Sequence, residues 1–149
     1  MATAYQAGIY PIEIQPLVKS NWKQFEQLLG ERGGCGGCWC MTHRLSAAAF
    51  EQNKHDGNKK LLSELVEREI PVGLLGIMKQ EAIAWLSFAP RSQFTRLEKS
   101  RIYKPVDAQP VWSITCFFIK KEYRNKGISL VMIEAAKIHA QKNNIKVLE

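Results

Sequence analysis

The sequence predicts an α/β fold in which a mixed, mainly antiparallel central sheet is flanked by helices. Three observations lead to this prediction. Segments rich in β-branched and aromatic residues recur at 72–78, 82–88 and 111–119. Apolar residues at helical spacing mark two other segments, at 22–29 and 128–138. The last strand-like segment also runs directly into a basic, glycine-containing turn and then into a long predicted helix.

Length, charge and leader features bound the class of protein. A chain of 149 residues fits one domain, and we expect residues 1–149 to form a single domain. We find no export signal and no apolar run near the roughly 20 residues of a membrane helix, so we expect a cytoplasmic protein with no membrane partner. The formal charge of +7 favours anionic partners, but charge alone does not distinguish phosphates, nucleotides and nucleic acid.

The first third of the chain predicts one strand, one helix and an unusual loop. Ile12–Leu17 alternates as a strand, and Asn21 is placed to cap a helix that ends near Gly30–Gly34. The apolar residues of that helix share one face: Trp22, Phe25, Leu28 and Leu29. The loop Gly33–Arg44 contains four glycines, three cysteines and one tryptophan, without a helical period.

The middle of the chain predicts a second helix followed by a hairpin. Asn58 is the candidate cap, Pro71 stops the helix, and Ser46–Gly57 is a mobile connection. The apolar residues of this helix recur at helical spacing: Leu61, Leu62, Leu65 and Val66. Two β-rich segments then predict an antiparallel hairpin: Val72–Met78 and Ala82–Phe88. Arg91–Asp107 is interpreted either as a short helix with a solvated basic face or as a substrate-side loop.

The segment Val111–Ala140 predicts an anion site at a helix start. Val111–Ile119 is largely apolar on both alternating sets, which predicts a central strand covered on both faces. The turn Lys120–Lys126 holds four basic residues and one acidic residue, and Gly127 permits a positive φ. The core-facing stripe of the following helix is Ile128, Val131, Met132, Ala135 and Ile138. A phosphate would bind at the start of the helix, where free N–H groups and the positive end of the helix dipole meet. The alternative interpretation is an ordinary connection between strand and helix, whose basic side chains are only solvated.

The hexapeptide Arg124-Asn125-Lys126-Gly127-Ile128-Ser129 resembles the acetyl-CoA signature Arg/Gln-x-x-Gly-x-Gly/Ala of the GNAT superfamily of N-acetyltransferases. A dinucleotide fingerprint would need three glycines and a P-loop would need Gly-Lys-Ser/Thr, so both are poor fits. Ser129 departs from the usual Gly or Ala. Four further segments look like a bacterial GNAT subgroup of mostly unassigned substrate: Cys38-Trp39-Cys40-Met41 with Arg44, Phe88-Ala89-Pro90-Arg91, Lys104-Pro105-Val106-Asp107 and Pro110-Val111-Trp112-Ser113.

The resemblance implies a GNAT-like (acyl-CoA N-acyltransferase) fold and acetyl transfer from acetyl-CoA to a primary amine of a small molecule or a protein. In this family the strand before the signature pairs with the pantetheine arm, which implicates Phe117, Phe118 and Ile119. The amides of the next residues would cradle the pyrophosphate: Arg124, Asn125, Lys126, Gly127, Ile128 and Ser129. Relatives usually continue with another helix and strands, so we expect a C-terminally incomplete fold. Three explanations of the missing C-terminal elements remain open. The chain is truncated, or another chain completes the fold, as in a homodimer, or the protein binds CoA without efficient turnover.

The general base is the missing part of the implied active site. No carboxylate lies within Val111–Ile119, where many relatives keep one. Two residues remain as catalytic candidates: Glu149, at the end of a predicted strand Ile145–Glu149, and His43. Three residues of the cysteine-rich segment are candidates for the acceptor side: Trp39, Cys40 and Arg44.

The cysteines are predicted to be reduced thiols, and no metal is expected. Four potential zinc ligands crowd together: Cys35, Cys38, Cys40 and His43. They lack the two separated pairs of common zinc modules, so zinc binding is kept as the alternative. The remaining cysteine, two tryptophans and two histidines are expected to have structural positions without a role in chemistry. We expect Cys116, Trp85 and Trp112 in the core, His55 in a loop and His139 on a helix surface.

Two rivals to N-acetyltransfer stay open. A non-catalytic acyl-CoA-binding or regulatory protein would explain the absent strand carboxylate and the absent C-terminal elements. A metal-binding or nucleic-acid-binding module would use the cysteine-rich and basic segments. The partners that we expect are acetyl-CoA and an amine, without nucleic acid.

Overall fold

The computed structural model describes residues 2–149, which build one six-stranded sheet with helices packed on both faces. The strands lie in the sheet in chain order: β1 (Thr3–Ala7), β2 (Tyr10–Pro16), β3 (Gly73–Met78), β4 (Glu81–Pro90), β5 (Val111–Ile119) and β6 (Val147–Leu148). Neighbouring strands are antiparallel except β5 and β6, which are parallel. The predicted mixed, mainly antiparallel sheet is confirmed.

Five helices connect or cover the strands: α1 (Trp22–Leu29), α2 (Ala47–Gln52), α3 (Asp56–Glu67), α4 (Thr95–Glu98) and α5 (Ile128–Lys142). The apolar stripe of α1 is buried as predicted, except that Trp22 is only half-buried. The predicted cap at Asn21 is wrong in detail. Its side chain instead accepts from the Val18 N–H at 2.8 Å and donates to the Pro16 carbonyl at 2.9 Å, so it fixes the turn before the helix.

The sheet separates two hydrophobic cores. On one face, α5 packs its buried residues Met132 and Ala136 against Ile83 and Leu86 of β4. On the other face, α1, α3 and the loop Gly33–Arg44 enclose Trp85, which is fully buried. Each fully buried aliphatic or aromatic side chain contributes roughly 1.5–3 kcal/mol of transfer free energy, so these two layers stabilise the sheet. The C-terminal end of β5 and the first turn of α5 are joined by the turn at residues 120–127.

Several predicted boundaries of helices and strands are wrong, because some of these elements consist largely of polar residues and lack a clear apolar pattern. β1 was not predicted, since it alternates exposed and covered residues with few large apolar side chains. The connection Ser46–Gly57 contains α2, whose first turn is capped by Ser46 Oγ accepting from the Ala49 N–H at 3.2 Å. α3 begins before Asn58, and this fully buried residue donates to the Gly37 carbonyl at 3.1 Å instead of capping the helix.

The C-terminal elements also differ from the predicted ones in extent. β5 is not covered along its whole length, because Phe117 is 39% exposed and β6 pairs only with Val111 and Trp112. In α5, Ala136 and Ala140 are buried where Val131 and Ile138 were predicted to be, and those two are half-buried. His139 is not on the surface: its ring is half-buried, 5.7 Å from that of Trp112. Arg91–Asp107 contains only a 3₁₀ turn and the four-residue α4.

The predicted hairpin of β3 and β4 is confirmed, with Leu74 opposite Leu86 and Leu75 opposite Trp85. Its two central turn residues, Lys79 and Gln80, have φ angles of 50° and 66°. Both values match the left-handed conformation that tight antiparallel hairpins need, without the usual Asn-Gly pair. Cross-strand packing of the apolar strands therefore sets this turn.

Gly73 sits where β3 leaves no room for a side chain, and replacing it with alanine should destabilise the fold by about 3 kcal/mol. An added Cβ would lie 2.2 Å from the Leu86 carbonyl oxygen and 2.3 Å from the buried ring of Trp85. The matched control is Gly30→Ala, since Gly30 has a positive φ of 66° but no atom within 4 Å of its Cβ position. Chemical denaturation measures both free energies of unfolding, and equal losses would contradict the packing argument.

Candidate functional site

The start of α5 presents a set of unpaired main-chain donors, which we call the helix cradle (residues 124–130). Gly127 precedes the helix with φ 77°, and Asn125 also has a positive φ of 59°. Within residues 2–149, no group accepts a hydrogen bond from the N–H groups of residues 125–130. These donors lie at the positive end of a 15-residue helix. The geometry suits an anion with several oxygen atoms, such as a phosphate.

Basic side chains beside the helix cradle are held by the protein itself. Arg124 Nε donates to the Ile119 carbonyl at 2.9 Å, which ties the turn to the end of β5. Lys126 Nζ donates to the Tyr10 hydroxyl at 2.8 Å and lies 4.9 Å from the centre of the Tyr10 ring. Ser129 is exposed. The side chains add positive charge, while the main chain supplies the directed donors.

β5 carries an irregularity that opens its outer edge. Cys116 lies opposite Ser87 and Ile114 lies opposite Phe88, so Thr115 is an extra residue on β5. On the other side of β5, pairing with β6 ends early, and the last bond runs from the Ile114 N–H to the Glu149 carbonyl at 2.8 Å. No strand within residues 2–149 pairs with the outer edge at Phe117–Ile119. That edge leads from the strand centre toward the helix cradle.

A cleft of about 490 Å³ lies next to this edge, and we call it the carboxylate cleft. Its lining includes Glu149, Ser113 and His43. Glu149 Oε1 accepts from Ser113 Oγ at 2.7 Å and is bonded to Arg91 Nη1. No hydrogen bond within residues 2–149 involves Glu149 Oε2. The carboxylate is therefore held by one oxygen and can accept a proton or an N–H with the other.

Arg91 fixes the position of Glu149. Its side chain is 92% buried, and Nε contacts Glu98 Oε1 at 2.9 Å while Nη2 donates to the Leu97 carbonyl at 3.0 Å. Because several groups hold the guanidinium at once, it has little freedom to follow a moving carboxylate. Glu149 is thus held at the rim of the cleft by a fixed cation.

A second cavity of about 450 Å³, which we call the thiol pocket, adjoins the first. Its lining includes all four cysteines: Cys35, Cys38, Cys40 and Cys116. His43 and Thr115 line both cavities, so the two form one continuous region beside β5. Burial, together with the charge of Arg96, lowers the pKa of His43, which keeps its ring neutral at pH 7.

Two of the three predicted acceptor residues belong to the core instead. Trp39 is 3% exposed and packs between the rings of Trp22 and Phe25, because its left-handed backbone turns it inward. Arg44 is 6% exposed and lies 4.6 Å above the ring of Phe94, and burial lowers its pKa to about 10. Neither side chain lines the carboxylate cleft or the thiol pocket. Cys40, although buried, does line the thiol pocket.

The structure adds residues that the sequence reasoning missed. Arg91, Ser113 and Thr115 all reach this region. The last two were visible as polar residues within an otherwise apolar strand, which is a usable signal. Arg91 gave no such signal, because its partner Glu149 is 58 residues away in sequence.

Neither a metal-binding cluster nor a membrane-spanning helix is found among the described residues. Across residues 2–149, no three His, Cys, Asp or Glu side chains are arranged to hold a metal ion. In the same range, no helix combines the length and apolar character of a membrane-spanning segment.

The order of strands, the extra residue in β5 and the cradle at α5 together define the acyl-CoA N-acyltransferase fold, as the resemblance to the GNAT superfamily predicted. No family model matches the sequence, and no curated protein matches it significantly in sequence. The similarity is found among solved structures. An apo aminoglycoside 6'-N-acetyltransferase from Acinetobacter haemolyticus has a TM-score of 0.56 at 16% identity, over 91% of this chain and 77% of that chain.

Two other solved structures widen the comparison. An aminoglycoside N-acetyltransferase in complex with CoA has a TM-score of 0.60 at 12% identity, over 98% of this chain and 76% of that chain. A ribosomal-protein-alanine N-acetyltransferase from Brucella melitensis biovar Abortus has a TM-score of 0.55 at 14% identity, over 92% and 77% of the two chains. At these identities the similarity establishes the fold.

Proposed function

We propose that this protein transfers an acetyl group from acetyl-CoA to a primary amine. The observation that carries the proposal is the combination of the helix cradle with the open edge of β5 that leads to it. A pyrophosphate needs directed donors and positive potential, and an amide-containing arm needs an unpaired strand edge. A solved structure of the same fold is a complex with CoA, which supports CoA as the carrier of the acetyl group.

The donor would extend from the helix cradle along β5. The N–H groups of Asn125 to Ser129 hold the pyrophosphate in this proposal, with Arg124 and Lys126 adding charge. The main chain at Phe117, Phe118 and Ile119 pairs with the pantetheine arm. The acetyl thioester then lies near Thr115, where both the carboxylate cleft and the thiol pocket open. Holding both reactants in this way accounts for up to roughly 7–11 kcal/mol of the barrier.

The chemical step is a direct attack of a neutral amine on the thioester carbonyl. A C–N bond forms, the C–S bond breaks, and the nitrogen loses one proton while the departing thiolate gains one. Glu149 is the proposed base, because its Oε2 is not engaged in a hydrogen bond and its position is fixed through Oε1. His43, neutral and at the same cleft, is the second group that can take up a proton.

The charges at the carboxylate cleft favour an acceptor that is not a polycation. Lys104 and Arg91 line this cleft, and Glu149 is its one acidic side chain. Arg91 is paired with Glu98 and Glu149, so Lys104 is the cation that would repel the extra charges of a compound with several ammonium groups. We therefore propose an acceptor with one amine and an anionic or neutral remainder, unlike the aminoglycosides named for the similar structures.

Acetyl-CoA binding tests the proposal directly. At a concentration of about one hundred times the dissociation constant, acetyl-CoA should stabilise the fold by about 2.7 kcal/mol. For a chain of this size that corresponds to a rise in Tm of roughly 5–11 °C. Thermal unfolding measures the shift, with adenosine at the same concentration as the control because it lacks the pyrophosphate. An unchanged Tm would count against the proposal.

Turnover then separates an enzyme from a binding protein. Release of free CoA thiol should be measured with a panel of amines that includes amino acids, short peptides and an aminoglycoside. A clear increase with any member supports catalysis, whereas binding without turnover across the panel supports an acyl-CoA-binding regulatory role. Steep loss of affinity for nucleic acid with salt would instead reveal a basic binding face.

The cellular setting is part of the same proposal. All four cysteines are unpaired, which suits a reducing compartment such as the cytoplasm of a bacterium. We treat residues 1–149 as one domain because one sheet carries both cores, and a homodimer remains an arrangement to test by light scattering.

A further inference from the structure

Three cysteines meet at the floor of the thiol pocket, although they come from a loop and from β5. Cys40 is 8% exposed, and its sulfur accepts a hydrogen bond from Trp85 Nε1 at 3.0 Å. Cys38 and Cys116 line the same cavity as Cys40, and the three thiols shift one another's pKa. Proposed acetyl transfer uses none of these sulfur atoms. A buried cysteine with an indole donor and two sulfur neighbours is therefore a cluster without an assigned role.

Cys38 and Cys116 are the half-buried members of this cluster, and both line the thiol pocket. The protonated Cys38 Sγ donates to the Gly33 carbonyl at 3.5 Å. The Cys40 thiol and the surrounding N–H groups of the loop stabilise its thiolate, and they lower the pKa of Cys38 to about 5 against the opposing effect of burial. Contacts with Cys116 and then with Cys38, together with burial, raise the pKa of Cys40, and the Cys40 contact lowers the pKa of Cys116. Cys38 and Cys116 are thus the acidic thiols, the buried Cys40 keeps its proton, and Cys38 is the acidic thiol that lies two residues from Cys40 in sequence.

We propose that Cys38 is a site of reversible oxidation by hydrogen peroxide, and that Cys40 closes a disulfide with it. The two residues are two positions apart in a tight turn, where Trp39 and Cys40 have φ angles of 42° and 57°. Cα atoms two residues apart in a turn lie roughly 5–7 Å from each other, which is within the span of a disulfide. The pocket admits a molecule as small as peroxide to the Cys38 sulfur.

The chemistry balances in two steps. The Cys38 thiolate attacks one peroxide oxygen, so an S–O bond forms, the O–O bond breaks, and the departing hydroxide takes a proton to become water. The Cys40 sulfur, as its proton is lost, then attacks the Cys38 sulfenic acid, so an S–S bond forms and a second water leaves. Two thiols and one peroxide give one disulfide and two waters. Trp85 Nε1 stabilises the negative charge on Cys40 during the second step.

The reaction does not depend on acetyl transfer, so its test does not use acetyl-CoA. The full-length protein is treated with one equivalent of hydrogen peroxide, the remaining thiols are alkylated, and peptides are mapped by mass spectrometry. We expect loss of two hydrogen atoms, a Cys38–Cys40 linkage, and full reversal by dithiothreitol. A linkage to Cys116, or oxidation of Cys35 before Cys38, would overturn the proposal.

Variants separate the two roles. In Cys40→Ser the sulfenic acid at Cys38 should persist and react with dimedone, whereas Cys38→Ser should form neither product. Cys35→Ser is the matched control, since Cys35 is exposed at the rim of the same pocket, and it should oxidise like the wild type. If Cys40→Ser unfolds, Cys40→Ala serves the same purpose, and its folding is checked by circular dichroism. Dimedone labelling at any residue other than Cys38 would contradict the assignment.

A pH profile on the wild-type chain needs no variant. Alkylation of Cys38 by iodoacetamide should change less than about twofold between pH 6 and pH 8, because a thiol of pKa about 5 is ionised throughout. An ordinary thiol of pKa near 8.5 loses roughly 100-fold in thiolate over the same interval. The pH profile identifies the acidic thiol better than a single alkylation rate at pH 7 does. At pH 7 a thiol of low pKa has a larger thiolate fraction, but its thiolate is a weaker nucleophile, so the two effects largely cancel in the rate. A fall of 100-fold at Cys38 would overturn its role as the reacting thiolate.

Discussion

Replacing Gly127 with valine should abolish the stabilisation of the protein by acetyl-CoA. The residue has φ 77°, which a β-branched side chain strongly disfavours, and its Cα lies in the middle of the helix cradle, directly before α5. No protein atom lies within 4 Å of an added Cβ, so new steric conflict would arise mainly with a bound phosphate. We expect the shift of about 2.7 kcal/mol seen at one hundred times the wild-type dissociation constant to disappear.

Gly8→Val is the matched control for this substitution. Gly8 has φ 60° and open space around its Cβ position, but it lies in the turn between β1 and β2. Both variants should lose about 1–3 kcal/mol from backbone strain, as measured by denaturation without ligand. Only Gly127→Val should also lose the acetyl-CoA shift. A variant at Gly127 that keeps this shift would mean that the pyrophosphate binds elsewhere.

The substitution Glu149→Gln should lower kcat with the best acceptor by about 10²–10⁴-fold if this carboxylate is the base. Glutamine preserves the shape of the side chain and the acceptor oxygen for Ser113 and Arg91, but it cannot take up a proton. The thermal shift with acetyl-CoA should stay unchanged, because the helix cradle is untouched.

Glu98→Gln provides the comparison, since Glu98 also bonds Arg91 yet does not line the carboxylate cleft. It should lower kcat only slightly, through a small change in how Arg91 is held. Turnover of Glu149→Gln within threefold of the wild type would assign the proton transfer to another group. His43→Gln would then be the next variant to measure.

Local sequence patterns predicted the parts of the fold that depend on local structure. The apolar face of α1, the hairpin of β3 and β4, and the passage from β5 through Gly127 into α5 all follow from spacing and glycine chemistry. The resemblance in residues 124–129 pointed to the fold that the solved structures share. These elements need no knowledge of distant contacts.

The carboxylate cleft could not be predicted because distant residues build it. Arg91 and Glu149 meet only after the sheet has formed, and the extra residue Thr115 is visible only from the pairing of β5 with β4. Trp39 and Arg44 looked like ligand contacts in a glycine-rich loop, yet the loop folds inward and buries both. A single sequence does not reveal which way such a loop turns.

The helix cradle is made of main-chain N–H groups at a left-handed glycine, and it demands a particular side chain at almost no other position. Evolution can therefore exchange most of the neighbouring residues while the donor site survives. The solved structures similar to this chain have TM-scores of 0.55–0.60 at sequence identities of only 12–16%. These values are consistent with a fold that tolerates many side-chain exchanges. In the proposed function, side chains decide the acceptor and main-chain groups hold the donor, so a change of acceptor does not require a change in the helix cradle.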